Sequence, residues 1–166
     1  LMCDLVGIGV RARHEADSTL AMMRAAEVLG ADGGTCGVFG DSRWFSPAAA
    51  ALMNGALGHS LDFDDTHADA SVHPSAVVVP AALAAAQLPG ASGRDVIVSV
   101  IAGYETICRL GQALGPDDHY ERGYHPTATC GAFAAAVAAS KVMGLNAKEI
   151  ESALGIALSQ ASGTMQ

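Results

Sequence analysis

The chain has 166 residues, 51% of them hydrophobic, 16% charged and only 5% aromatic, with a net charge of -8. That charge, with no basic cluster to override it, excludes a nucleic-acid binder. No apolar run approaches the roughly 20 residues a membrane span needs, since the longest, Ala76 to Ala86, is broken by Pro80.

The length fits one domain or part of a larger one. Asp4 and Arg11 interrupt the first apolar stretch, which does not read as a signal peptide. Cys3, Cys36, Cys108 and Cys130 are scattered, with no CxxC, a pattern of reduced thiols in a cytoplasm. Mean hydropathy is +0.31, carried mostly by Ala, Val and Leu. Small side chains in that proportion predict closely packed helices.

In chain order, Leu1 to Ala12 reads as the end of a helix. Asp17 or Ser18 caps a second that runs through Leu29 to Gly30. Gly33 to Ser42 predicts a short extended segment; its Gly pair lacks the spacing and the Lys of a phosphate loop. Ser46-Pro47 is a strong helix start, an N-cap Ser before Pro, and predicts a helix to about Leu61. Pro74 or Ser75 opens the next, through Gln87, with a kink expected at Pro80. Ser92 to Asp95 has the layout of a capping box and opens a helix to Leu114, stopped by Gly115-Pro116. Asp117 to Gly123 reads as a polar loop. Helices over Pro126–Met143 and from the Asn146 cap to Ser159 complete the chain. The fold class is all-α, Ala-rich, with helices packed antiparallel across short loops.

The stretch from Asn54 to Ser75 stands out. Asp62, Asp64, Asp65 and Asp69 lie there with His59, His67 and His73, between two apolar helices. Ionisable groups this close shift each other's pKa values, as acid/base chemistry or metal binding exploits. His73 and His125 are each followed by Pro, where a polar stretch meets a predicted helix N-terminus. Such an end carries partial positive charge and free N–H groups for a substrate carboxylate, beside an acid or base. Either histidine alone is accounted for by backbone hydrogen bonds; the repeated context singles out the pair. A helix continuing through the aspartates would put Asp62, Asp65 and Asp69 on one face. Asp64 to Asp69 also resembles the magnesium motif of prenyl and terpene synthases, without a second metal motif or a basic cluster for diphosphate. Helix capping by solvated carboxylates is the plain alternative. Glu105 and Arg109 make an ordinary i, i+4 pair.

The segments NGALGHSLDFDDTH, VHPSAVVVPAALAAA, AGYETICRLG, RGYHPTATCGAFAAAVAASKVMGL and ALGIALSQASG occur in that order. Together they resemble the MmgE/PrpD family, which includes 2-methylcitrate dehydratase, cis-aconitate decarboxylase and iminodisuccinate epimerase. The resemblance covers essentially the whole chain. It implies the first half of a large helical domain, truncated at both ends, with a catalytic lysine and an α/β lid domain lying beyond Gln166. On that reading residues 1–166 are part of one helical domain and are expected to be inactive alone.

The resemblance further implies a lyase or isomerase of small di- or tricarboxylates that uses no metal and no cofactor. Asp62, Thr66, His73 and His125 fall on the family's active-site motif positions, with Ser75 and Arg122 beside them as substrate-binding candidates. His73, His125 and Asp62 are the expected catalytic set. Dehydration of 2-methylcitrate is the first expectation, with decarboxylation and epimerisation as alternatives on the same acid/base pair. A magnesium-dependent prenyl or terpene enzyme and a non-catalytic helical interaction module are the readings of other classes. A cytoplasmic homodimer of the full-length protein is the expected setting, with a small carboxylate as its partner and neither nucleic acid nor membrane.

Overall fold

Capping chemistry fixes where the helices begin. In the computed structural model, which describes residues 1–88 and 90–165, the Ser46 hydroxyl accepts from the Ala49 N–H and Pro47 takes the first helical position. Ser92 and Asp95, and likewise Asn146 and Glu149, close reciprocal capping boxes. Satisfying otherwise orphaned N–H groups in this way contributes about 1 kcal/mol per cap.

The elements run α1 (Met2–Glu15), α2 (Thr19–Val28), β1 (Asp32–Gly37), β2 (Trp44–Phe45), α3 (Pro47–His59), a 3-10 turn (Ala68–Ala70), α4 (Pro74–Ala86), α5 (Gly93–Leu114), α6 (Pro116–Glu121), α7 (Pro126–Val142) and α8 (Ala147–Gln160). The chain is predominantly helical, as the composition predicts. Its two strands form one short antiparallel ribbon, irregular in register between Asp32 and Cys36.

Helix α4 is the central element. It is apolar on every side, and ten of its thirteen residues are buried. It packs on α3, α5 and α7. One core joins Val72, Val78, Val79, Ile107, Cys130 and Ala134; a second gathers Met23, Cys36, Phe45, Met53 and Leu57 around the ribbon. Small residues set the spacing. A Cβ on Gly103 would stand 2.5 Å from a Val78 methyl, and one on Gly55 would stand 2.9 Å from the Ala76 carbonyl oxygen. Pro80, four residues after Ala76, has no N–H to offer that carbonyl, yet α4 continues through it to Ala86.

Two expectations are corrected. Asp117 to Gly123 is not simply a loop: Gly115, at φ 69°, ends α5, and Pro116 then starts the six-residue α6. Asp117 and Asp118 in its first turn complement the helix dipole. The aspartate stretch does not continue as helix either. After α3 ends at His59, Asp62 turns into left-handed backbone at φ 54°, so Asp62, Asp65 and Asp69 share no helical face.

Candidate functional site

The residue before a proline is pushed toward extended backbone. A His-Pro pair at a helix start therefore makes the histidine the N-cap. His73 caps α4 and His125 caps α7, each with Pro at the next position and neither with its side chain spent on capping. The His73 N–H donates to the Thr127 hydroxyl at 3.0 Å, tying the two helix starts together. The His73 and His125 ring centres then stand 6.4 Å apart, although 52 residues separate them. The His125 N–H donates to the Gly163 carbonyl, and its Nδ1 meets the Tyr120 hydroxyl at 3.0 Å.

A third imidazole joins them. His59, the last residue of α3, has its ring centre 4.8 Å from that of His73. Its Nδ1 lies 3.0 and 3.1 Å from the two oxygens of Asp64, whose side chain is wholly buried. The hydrogen bond to Asp64 raises the His59 pKa, against an opposing contribution from burial. His125 moves the other way: burial lowers its pKa, and the nearby charges of His73 and His59 lower it further. Neighbouring groups pushed apart in this way can divide proton donation and acceptance between them.

Asp65 holds the loop in place. One oxygen accepts the Ser75 N–H at 3.0 Å and the other accepts the Tyr104 hydroxyl at 2.8 Å. Burial, and then the Asp65 hydrogen bond, push the Tyr104 phenol upward. The aspartates thus serve different partners. Asp64 faces His59, Asp65 faces α5, and Asp69 is exposed on the 3-10 turn. They do not converge as a magnesium motif would require.

The structure brings His73 and His125 together. Asp62 is exposed, yet its carboxylate stays within 4.8 Å of ligand atoms of both His59 and His73. Ser75 is buried and contributes its backbone N–H to Asp65. Thr66 is exposed, and Arg122 is an exposed C-cap of α6 with no side-chain hydrogen bond among the described residues. Sequence reasoning placed His59 and Asp64 in the ionisable cluster without pairing them, and it passed over Tyr104 and Tyr120. The i, i+5 spacing of His59 and Asp64 signals a contact only once α3 is known to end between them. A groove of about 480 Å³ runs beside the histidines between α3, α4 and α7. Leu52, Ala56, Val77 and Ala81 line it, with His59, His125 and Thr127 as its polar members.

The MmgE/PrpD N-terminal domain matches this chain over residues 1–166. The chain belongs to the MmgE/PrpD family. Among curated proteins it is 40% identical to the cis-aconitate decarboxylase-like protein oryM of Aspergillus oryzae, over 80% of this chain and 29% of that protein. It is 38% identical to the cis-aconitate decarboxylase of Aspergillus terreus, over 80% of this chain and 28% of that enzyme. It is 37% identical to the cis-aconitate decarboxylase of Homo sapiens, over 72% of this chain and 25% of that enzyme. The chain thus spans less than a third of the length of these relatives.

Proposed function

We propose that the complete protein is a lyase of small di- or tricarboxylates in which His73 and His125 handle protons, with cis-aconitate decarboxylation as the leading reaction. The observation that carries this is the meeting of two His-Pro helix starts, with the imidazole rings 6.4 Å apart. Each start offers backbone N–H groups and a partial positive charge to a substrate carboxylate. Loss of CO2 leaves an electron pair on carbon, which takes the N–H proton of a protonated imidazole and leaves that ring neutral. Loss of water needs a base for a C–H proton and an acid for the departing hydroxyl. The same pair serves either course, and no metal enters this reading. The relatives above bear the name cis-aconitate decarboxylase, and for that reason we put decarboxylation ahead of the 2-methylcitrate dehydration that the motifs alone put first. A cytoplasmic homodimer belongs to the same proposal.

The test is NMR of the complete protein with cis-aconitate, 2-methylcitrate, citrate and iminodisuccinate in separate tubes. We expect consumption of cis-aconitate with release of CO2. Turnover of none of the four, or turnover left intact by His73→Gln, would sink the proposal.

A further inference from the structure

Two neighbouring side chains fasten the short helix α6 to the start of α7. The His119 Nε2 meets the Thr129 hydroxyl at 2.8 Å, and the Tyr120 hydroxyl meets the His125 Nδ1 at 3.0 Å. Backbone bonds close the same corner: the Tyr124 N–H donates to the His119 carbonyl, and the Met165 N–H donates to the Gly123 carbonyl. Pro126 holds the His125 backbone in the extended region, at φ -95° and ψ 115°. Only the side-chain torsions of His125 are then left to set, and the Tyr120 bond fixes the ring's rotation. Tyr120 is half-buried, and its hydroxyl has no other hydrogen-bond partner among the described residues. The His125 Nε2 has no partner among them either, and it is not sealed from solvent.

We propose that Tyr120 is a positioning residue for His125: its hydroxyl oxygen accepts the Nδ1–H and holds the neutral ring in the tautomer whose Nε2 carries the free lone pair. This rests on the reading of His125 as a proton-handling residue. A neutral imidazole has one N–H, and the bond made at one nitrogen decides what the other can do. With Nδ1 taken by Tyr120, Nε2 is the atom left to react. A tyrosine hydroxyl can donate or accept, but protonated His125 has an N–H at both nitrogens, so beside it Tyr120 can only accept. An accepting Tyr120 therefore keeps the same bond in both charge states of the ring. A donating one would put the neutral ring's proton on Nε2, and the phenol hydrogen would have to turn away each time the ring charged. When His125 acts as base, a substrate C–H proton goes to the Nε2 lone pair and the C–H electron pair stays on the substrate. When it acts as acid after loss of CO2, the Nε2 proton goes to the carbanion carbon and the N–H pair returns to the ring. The Nδ1–H stays on Tyr120 in both directions.

The experiment is nitrogen NMR of the complete protein, isotope-labelled in histidine only, at mildly alkaline pH where the imidazoles are neutral. The His125 signals are assigned by their loss in His125→Asn. In the parent, Nδ1 should show the shift of a protonated nitrogen and Nε2 that of a bare one. Tyr120→Phe keeps the ring and its packing, and it should move the two shifts toward each other as the tautomers mix. Its kcat should fall about tenfold, less than removal of a general acid or base outright, with KM little changed. A parent ring protonated at Nε2, a tautomer left in place by Tyr120→Phe, or a changed tautomer with parental kcat would each overturn the inference. If the complete protein turns over none of the four carboxylates, the lyase reading falls, and the spectrum still decides the tautomer on its own.

Discussion

The Tyr104 hydroxyl donates to Asp65 at 2.8 Å across 39 residues of sequence, and this bond locks the site loop onto α5. The other Asp65 oxygen accepts from the N–H of Ser75, in the first turn of α4. One carboxylate thus joins loop, α4 and α5. Tyr104→Phe keeps the ring and removes only the donor. Hydrogen bonds to charged groups contribute about 1.5–3 kcal/mol, and Tyr104 is only partly buried, so a loss of about 1–2 kcal/mol in urea unfolding is expected. Unchanged stability would show that the loop is held elsewhere.

Much of this fold is legible in the sequence because its signals are local. Ser46-Pro47, the Ser92 box, the Asn146 cap, and the stops at Gly30 and Gly115 act within a few residues, and each falls where it was read. The His-Pro pairs also mark helix starts from sequence alone. The roles of Asp64 and Asp65 are not legible in this way. They are set by a left-handed turn at Asp62 and by partners on other elements, and an Asp-Asp pair carries no sign of which member turns inward. The short α6 escaped because six residues are too few for a periodic pattern to emerge.

Two glycine substitutions should move stability in opposite directions. Gly155 lies within α8 with nothing in the way of an added Cβ, so Gly155→Ala should gain about 1 kcal/mol from helix propensity. A Cβ on Gly111 would stand 2.7 Å from the Ala70 Cβ and 3.0 Å from its carbonyl oxygen. Backbone yields poorly, and overpacking of about 1–3 kcal/mol should outweigh the same propensity gain. Thermal unfolding of the two variants should therefore bracket the parent. A stabilised Gly111→Ala would refute the close approach of α5 to the 3-10 turn.

Asp41 should make stability depend on acid. Arg43 and Arg13 both bond its nearly buried carboxylate, at 3.1 and 3.0 Å, joining α1 to the segment before β2. The Arg43 hydrogen bond is the larger influence holding the Asp41 pKa well below the ordinary 3.8. A depressed folded pKa means the stabilisation is complete above the unfolded value and is lost as pH falls through the folded one. Asp41→Asn should cost about 1–2 kcal/mol at pH 7, discounted for the partly exposed arginines. The difference should shrink steadily below pH 3.8. A gap that stays constant down to pH 2 would rule out an electrostatic origin.

The proposed proton pair makes the most demanding prediction. His73→Gln and His125→Asn should each lower kcat by about 100-fold, the ordinary scale for a general acid or base. The double variant should lose little more, because the residues act as a unit. Burial and the charges of His73 and His59 lower the His125 pKa, so His125 stays neutral to below the usual imidazole value of 6.5. If neutral His125 is the base, the acid limb of kcat/KM falls below that value. His59→Asn removes one of the positive neighbours, and the limb should then move up toward 6.5. An acid limb at or above 6.5 in the parent enzyme, or one that His59→Asn leaves in place, would remove His125 from the role of base.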